Sequence, residues 1–151
     1  MKSIFSKTMM LLCLSTMVFS YTTKPGGEGF EIYLNNKVVI QQYGSEMNTV
    51  KSLPLNLQAS NDELTIKYHH CGNIGKNRVI TIKDQQNNVL KEFRYVDATS
   101  GVSAMLVRVK DLTVLKKGNS SLLKLYYSSS ELPKGRMLAS LMTNTGNTIN
   151  P

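Results

Sequence analysis

Residues 64–84 read LTIKYHHCGNIGKNRVITIKD, and the fold turns on how they are interpreted. In an extended chain successive side chains point to opposite faces. Over 64–70, Leu64, Ile66, Tyr68 and His70 then share one face, and Thr65, Lys67 and His69 the other. Over 78–84, Ile80 and Ile82 lie on one face with Arg78, and Val79, Thr81 and Lys83 on the opposite one. Two such runs around a glycine-containing loop predict a central β-hairpin. Pairing Tyr68 with Ile80 and Ile66 with Ile82 keeps the apolar sets together and puts Lys67 beside Thr81; a slip of one residue mixes the faces. This register predicts Ile66, Ile80 and Ile82 buried together, with Lys67 and Lys83 exposed. The loop 71–77 is longer than a two-residue turn, and Gly72 and Gly75 offer the positive φ that a reversal needs.

The flanking sequence repeats the pattern. Residues 30–34 and 37–43 are alternating or apolar runs separated by Asn35-Asn36, a pair that tolerates positive φ and fits a two-residue hairpin turn. Residues 53–57 form a short strand that Pro54 confines to a sheet edge. Residues 89–96 pair with 78–84 after the polar turn 85–88. A strand follows at 105–109. Residues 110–117 read two ways: Leu112 and Leu115 fit a helical turn ended by Gly118, whereas Leu112 and Val114 fit a strand, and a short helical turn or irregular crossover is the reading adopted. Residues 122–128 form a strand with Leu123, Leu125 and Tyr127 on one face and Tyr126 on the other. Residues 136–143 close the fold as a last strand, with a terminal helix as the alternative. Seven or eight short strands with turn signals about every 10 residues predict an all-β chain: an antiparallel β-sandwich of Ig-like or Greek-key type with at most one short helical turn. The chain has no Trp, so the Cys…Trp…Cys signature of antibody-type domains is absent.

The first 20 residues read differently. Lys2 and Lys7 precede an apolar run at 8–19 that is too short to span a bilayer, and residues 18–20 suit signal-peptidase cleavage. The expected organisation is a signal peptide at 1–20, a flexible Pro/Gly-rich lead-in at 21–29, one sandwich domain at 30–143 and a polar tail at 144–151. The chain carries a net charge of +8; without residues 1–20 it keeps 16 basic and 10 acidic residues. Apart from Lys116-Lys117 the bases are scattered singly, which describes a solvated surface more than a nucleic-acid stripe. That charge suits weak attraction to an acidic envelope or a polyanionic glycan. Cys13 leaves with the signal, so Cys71 stands alone and forms no intrachain disulfide. Cys71 is expected to be buried and slow to react.

One cluster is unusual for its chemistry. His69, His70 and Cys71 are potential zinc or copper ligands, with His69 and Cys71 projecting to one side of an extended chain. The alternative is that Cys71 and His70 pack at a strand end while His69 is solvated. For a Cys71 nucleophile His69 is better placed as base than His70, but no carboxylate or amide can be assigned to orient it. The stretch 71–78 fails the phosphate-loop pattern, because Asn77 follows Lys76 and a strand comes next. Lys76 and Arg78 remain possible contacts for an acidic ligand. No carboxylate pair stands out for glycoside hydrolysis. Tyr33, Tyr43, Tyr68, Tyr95, Tyr126 and Tyr127 are possible sugar platforms, although strand tyrosines more often pack with the hydroxyl at the surface. Asn119-Ser120-Ser121 fits a glycosylation acceptor. The sequence therefore points to an exported, non-enzymatic binding or structural module without a cofactor, meeting a protein or glycan partner in the periplasm, at the cell surface or outside the cell. The alternative is an exported copper or zinc protein using the His69-His70-Cys71 corner.

Overall fold

The computed structural model describes residues 27–59, 61–115 and 122–144. The expected signal peptide, most of the lead-in, Lys116-Lys117, the glycosylation motif and most of the tail lie outside the described residues. The described chain forms nine strands: β1 (Gly29–Leu34), β2 (Lys37–Tyr43), β3 (Lys51–Asn56), β4 (Glu63–His69), β5 (Arg78–Lys83), β6 (Val89–Tyr95), β7 (Met105–Arg108), β8 (Leu122–Ser128) and β9 (Arg136–Asn144). A single helical turn, α1 (Val109–Thr113), follows β7. Two sheets stack as a sandwich, one ordered β2-β1-β4-β7 and the other β3-β9-β8-β5-β6. This is the all-β sandwich that the alternating pattern predicts. Its order is not specific to the immunoglobulin fold, and one pair, β3 with β9, runs parallel.

Local chemistry explains most elements. Asn35 and Asn36 both take positive φ, 50° and 66°, and join β1 to β2 by the expected two-residue turn. Gln42 points inward, and its side-chain amide donates to the carbonyls of Glu46 and Thr49, fixing the short 3-10 turn Gly44–Asn48. Pro54 sits in β3, which is an edge strand, as a residue without an N–H should. The inward residues Phe30, Ile32, Leu64, Ile66, Ile80, Ile82, Leu123, Leu125 and Tyr127 make one core between the sheets.

The central hairpin is not present. β4 is flanked by β1 and β7 in one sheet, whereas β5 is flanked by β8 and β6 in the other. Tyr68 pairs with Phe30, and Ile80 with Tyr127 and Phe93. The residues at 70–77 thus carry the chain across the sandwich, a gap of about 10 Å. Cys71, Gly72 and Asn77 take positive φ along this path. Ile66, Ile80 and Ile82 are buried together as expected, but face to face across the core. Lys67 and Lys83 are half-buried outside the core, with their ammonium groups 4.7 and 4.3 Å from the ring centres of Tyr33 and Tyr126.

The edges of the five-stranded sheet are guarded. Lys51 on β3 has the same parity as buried Leu53 and Leu55, and Lys91 on β6 the same parity as Phe93; both lysines are exposed. A charge on the core-side parity of an edge strand opposes pairing with another chain. In the other sheet β7 has only four residues, and the β1–β2 ladder is broken by a bulge between Ile32 and Tyr33.

Candidate functional site

Three loops and the lead-in meet at one end of the sandwich. The crossover 70–77 is tied to the loop after β6 by Ala98 N–H to the Gly75 carbonyl, 2.9 Å, and by Asn77 N–H to Asp97 Oδ1, 2.8 Å. It is tied to the β8–β9 loop by Ser130 N–H to the Lys76 carbonyl and by Lys76 N–H to Glu131. Arg78 is buried, and its guanidinium donates to the carbonyls of Val96 and Ser103. It is a structural clamp, and the expectation that it greets an acidic ligand from an exposed loop is corrected: its donors are spent inside.

Beneath these loops His70 is buried, with Nε2 2.9 Å from the Tyr127 hydroxyl and 3.3 Å from Ser129 Oγ. Its ring lies against Tyr68, which in turn stacks on Tyr127. The Tyr68 hydroxyl donates to Glu28, whose other oxygen meets Arg136 at 3.4 Å. Burial holds the His70 imidazole below its ordinary value, so it stays neutral near pH 7.

His69 points the opposite way, to the solvent face of the four-stranded sheet. Glu31 stands at the centre of that face, with its side chain 15 % exposed. The Tyr33 hydroxyl donates to Glu31 Oε2 at 2.5 Å, and the Tyr43 hydroxyl donates to Oε1 at 2.6 Å. The Gln41 amide is 3.4 Å from Oε1. His69 Nε2 is 3.9 Å from Oε1, too long for a hydrogen bond, and this buried atom has no partner. Burial pushes the Glu31 carboxyl up, but the two phenol donors, with His69 and Lys67 nearby, outweigh it and hold it below its ordinary value. The Glu31 hydrogen bond, with some burial, pushes Tyr33 up to about 12.

Cross-strand register builds this cluster. Gly29 is opposite Tyr43 on one side and His69 on the other, and Glu31 is opposite Gln41 and Lys67. Gly29 is required: a Cβ there would fall 1.9 Å from Tyr43 Cδ1. The Tyr43 ring covers the bare glycine backbone and meets the His69 ring edge-on, with centroids 5.5 Å apart.

Cys71 is exposed, not buried, because the chain turns out of β4 there with φ 52°. His69, His70 and Cys71 all line a shallow cavity of about 270 Å³ with Gly72, Gly101 and Val102. They approach it from different sides, since the two imidazoles leave β4 on opposite faces. Among the described residues no three His, Cys, Asp or Glu side chains gather around one point. The two imidazoles of the His69-His70-Cys71 corner thus serve different faces, and His69 joins Glu31, Tyr33 and Tyr43, which no spacing motif in the sequence links to it. The signal was available in part: a turn at Asn35-Asn36 places Glu31 and Gly29 beside Gln41 and Tyr43. No family model matches the chain, and no curated protein matches it in sequence.

Proposed function

We propose that the protein is an exported, non-enzymatic β-sandwich of the cell envelope that binds a partner through the solvent face of its four-stranded sheet. The observation that carries this reading is the Glu31 cluster: two phenols, a carboxylate and an unpartnered imidazole held in fixed positions on an accessible face, running into the cavity beside Cys71. Rigid polar and aromatic groups of this kind make a binding surface with little ordering left to do. The guarded edges weigh against recognition by strand addition. Export is supported by the basic start and short apolar run of residues 1–20. Among the described residues no helix is long and apolar enough to cross a membrane.

Two measurements test this reading. Amino-terminal sequencing of the accumulated protein should begin near residue 21; a chain that retains residue 1 and stays in the cytoplasm contradicts export. Capture from native envelope fractions should depend on Tyr43 and His69, and capture unaffected by Tyr43→Ala and His69→Ala moves the binding site elsewhere. A metal-binding role is the second reading, favoured by the lone Nε2 of His69 lying beside a carboxylate.

A further inference from the structure

We propose that Glu31, Tyr33, Tyr43 and His69 form a binding site for a hard trivalent cation, ferric iron foremost, on the outer face of the four-stranded sheet. The inference rests on reading this face as the binding surface, and it names the ligand.

The donor set selects the ion. Three of the four groups are oxygen donors, and two of these are phenols. Phenolate and carboxylate are hard ligands; thiolate and thioether, which hold soft ions, take no part in the cluster. Calcium and magnesium prefer carboxylates, carbonyls and water to an imidazole. Zinc sites are built mostly from nitrogen and sulfur donors, and this cluster offers one nitrogen and no sulfur. A small ion of charge +3 has the strength to displace both phenol protons, and two phenolates with one carboxylate neutralise it.

The geometry is close to assembled. Metal–ligand bonds of about 2.0–2.2 Å put neighbouring donors on one ion roughly 3 Å apart. The Tyr33 hydroxyl lies 2.5 Å from Oε2 and the Tyr43 hydroxyl 2.6 Å from Oε1, so the phenols meet the two different oxygens of one carboxylate. His69 Nε2, 3.9 Å from Oε1, closes by a small side-chain rotation. The Glu31 and His69 side chains are 15 % and 24 % exposed, and because Nε2 of His69 is itself buried its ring has to turn as an ion enters. Without the ion, the phenol protons bridge to the carboxylate and hold the oxygens together. On binding, two O–H bonds break, two protons pass to water and two Fe–O bonds form; the iron stays ferric throughout. Lys67, with its ammonium 4.7 Å from the centre of the Tyr33 ring, is a like charge beside the ion, and the three anionic ligands have to outweigh it. Gly29 acts as a positioning residue, because only a bare Cα lets the Tyr43 ring lie between β1 and His69.

The test is titration of the purified full chain with ferric citrate at neutral pH, followed by the visible charge-transfer band of iron phenolate. The expected result is a band that saturates at one iron per chain. Tyr33→Phe and Tyr43→Phe each weaken binding at least tenfold, and the double variant stays colourless. Gly29→Ala retains all four donors but displaces the Tyr43 ring, and it also weakens the band. Tyr126→Phe and Cys71→Ser leave it unchanged. Circular dichroism and melting of each variant separate loss of a ligand from loss of the fold. No saturable band in the parent chain, or a band that survives in the folded double variant, overturns the assignment. Displacement of the iron by one equivalent of zinc or copper overturns it as well. If iron does not bind while envelope capture still depends on Tyr43 and His69, the ferric site falls and the binding-module reading stands; loss of both dependences removes both.

Discussion

His70 and Tyr127, 57 residues apart in sequence, meet in the core with 2.9 Å between the ring nitrogen and the phenol oxygen. The contact joins the end of β4 in one sheet to β8 in the other. Tyr127→Phe leaves the imidazole with Ser129 as its remaining neighbour at 3.3 Å. A buried polar group deprived of a partner destabilises by about 1–3 kcal/mol. Urea unfolding should therefore show a clear drop for Tyr127→Phe and a smaller one for Ser129→Ala. The same contact sets an acid limit. His70 is depressed by burial, so the unfolded chain takes up a proton near pH 6.5 while the folded chain does not. Its contribution is present above that pH and is lost as the pH falls toward the folded-state value. Glu131 and Glu28 oppose this trend and Arg78 adds to it. A His70→Phe variant that retains the parent's loss of stability below pH 6.5 contradicts this assignment.

Gly75 is fixed by what lies over it. An added Cβ would sit 3.1 Å from the Tyr127 hydroxyl, 3.1 Å from Arg78 Cδ and 3.3 Å from His70 Cδ2. All three neighbours are buried, so there is little room to relax. Gly75→Ala should destabilise by about 1–3 kcal/mol, as overpacking does. The exposed Gly101, with nothing within 4 Å of an added Cβ, is the control and should tolerate the same change.

Alkali should unfold the protein through its buried phenols. The Tyr95 hydroxyl donates to the Leu106 carbonyl at 2.6 Å and so links the edge strands β6 and β7 of the two sheets. Burial pushes this phenol up to about 12. A raised folded-state value means that stability is intact below pH 10, where both states are protonated, and falls as the pH rises from 10 to about 12. Melting temperatures across that range should fall more steeply in the parent than in Tyr95→Phe; parallel profiles would show that the phenol is not responsible.

Much of this architecture can be read from particular residues. Asn35-Asn36 announces the first turn and Pro54 the edge position of β3, whereas Leu112 fits a helix with Leu115 and a strand with Val114. The parity of Ile66, Tyr68, Ile80 and Ile82 correctly assigns what faces inward. Parity says nothing about whether two inward faces lie side by side or opposite, and both choices bury the same side chains. The seven residues from Cys71 to Asn77 were long enough for either, and here the unread constraint was lateral: β1 and β7 already fill both flanks of β4. The Glu31 cluster depends on the same missing fact. Its β1–β2 half follows from the asparagine turn, whereas His69 joins only because β4 lies on the far side of β1.

Lys51 and Lys91 test whether the edge charges suppress association. Replacing both with valine gives two edge strands a continuous apolar parity beside exposed backbone. Light scattering and size exclusion should show association at concentrations where the parent is monodisperse. The double change on the solvent face, Ser52→Val with Glu92→Val, should have a weaker effect; equal association would remove the special role given to the inward parity.

Cys71 should react quickly. Its exposure and its position outside the strand give a bulky thiol reagent free access. In a chain lacking residues 1–20 it is the one cysteine, so labelling of the native protein should reach one group per chain at the rate of the unfolded control. Labelling slowed a hundredfold in the native state would restore the buried thiol expected from the sequence.

β3 reaches the rest of its sheet only by lying alongside β9, the last strand of the described chain. Roughly eighty residues separate these neighbours, and among the described residues β9 is the one strand with which β3 pairs. Leu53 and Leu55 therefore gain their backbone ladder only once β9 joins the sheet. Any truncation upstream of residue 136 removes β9, which lies between β3 and β8, and leaves a greasy seam open to chaperones and proteases.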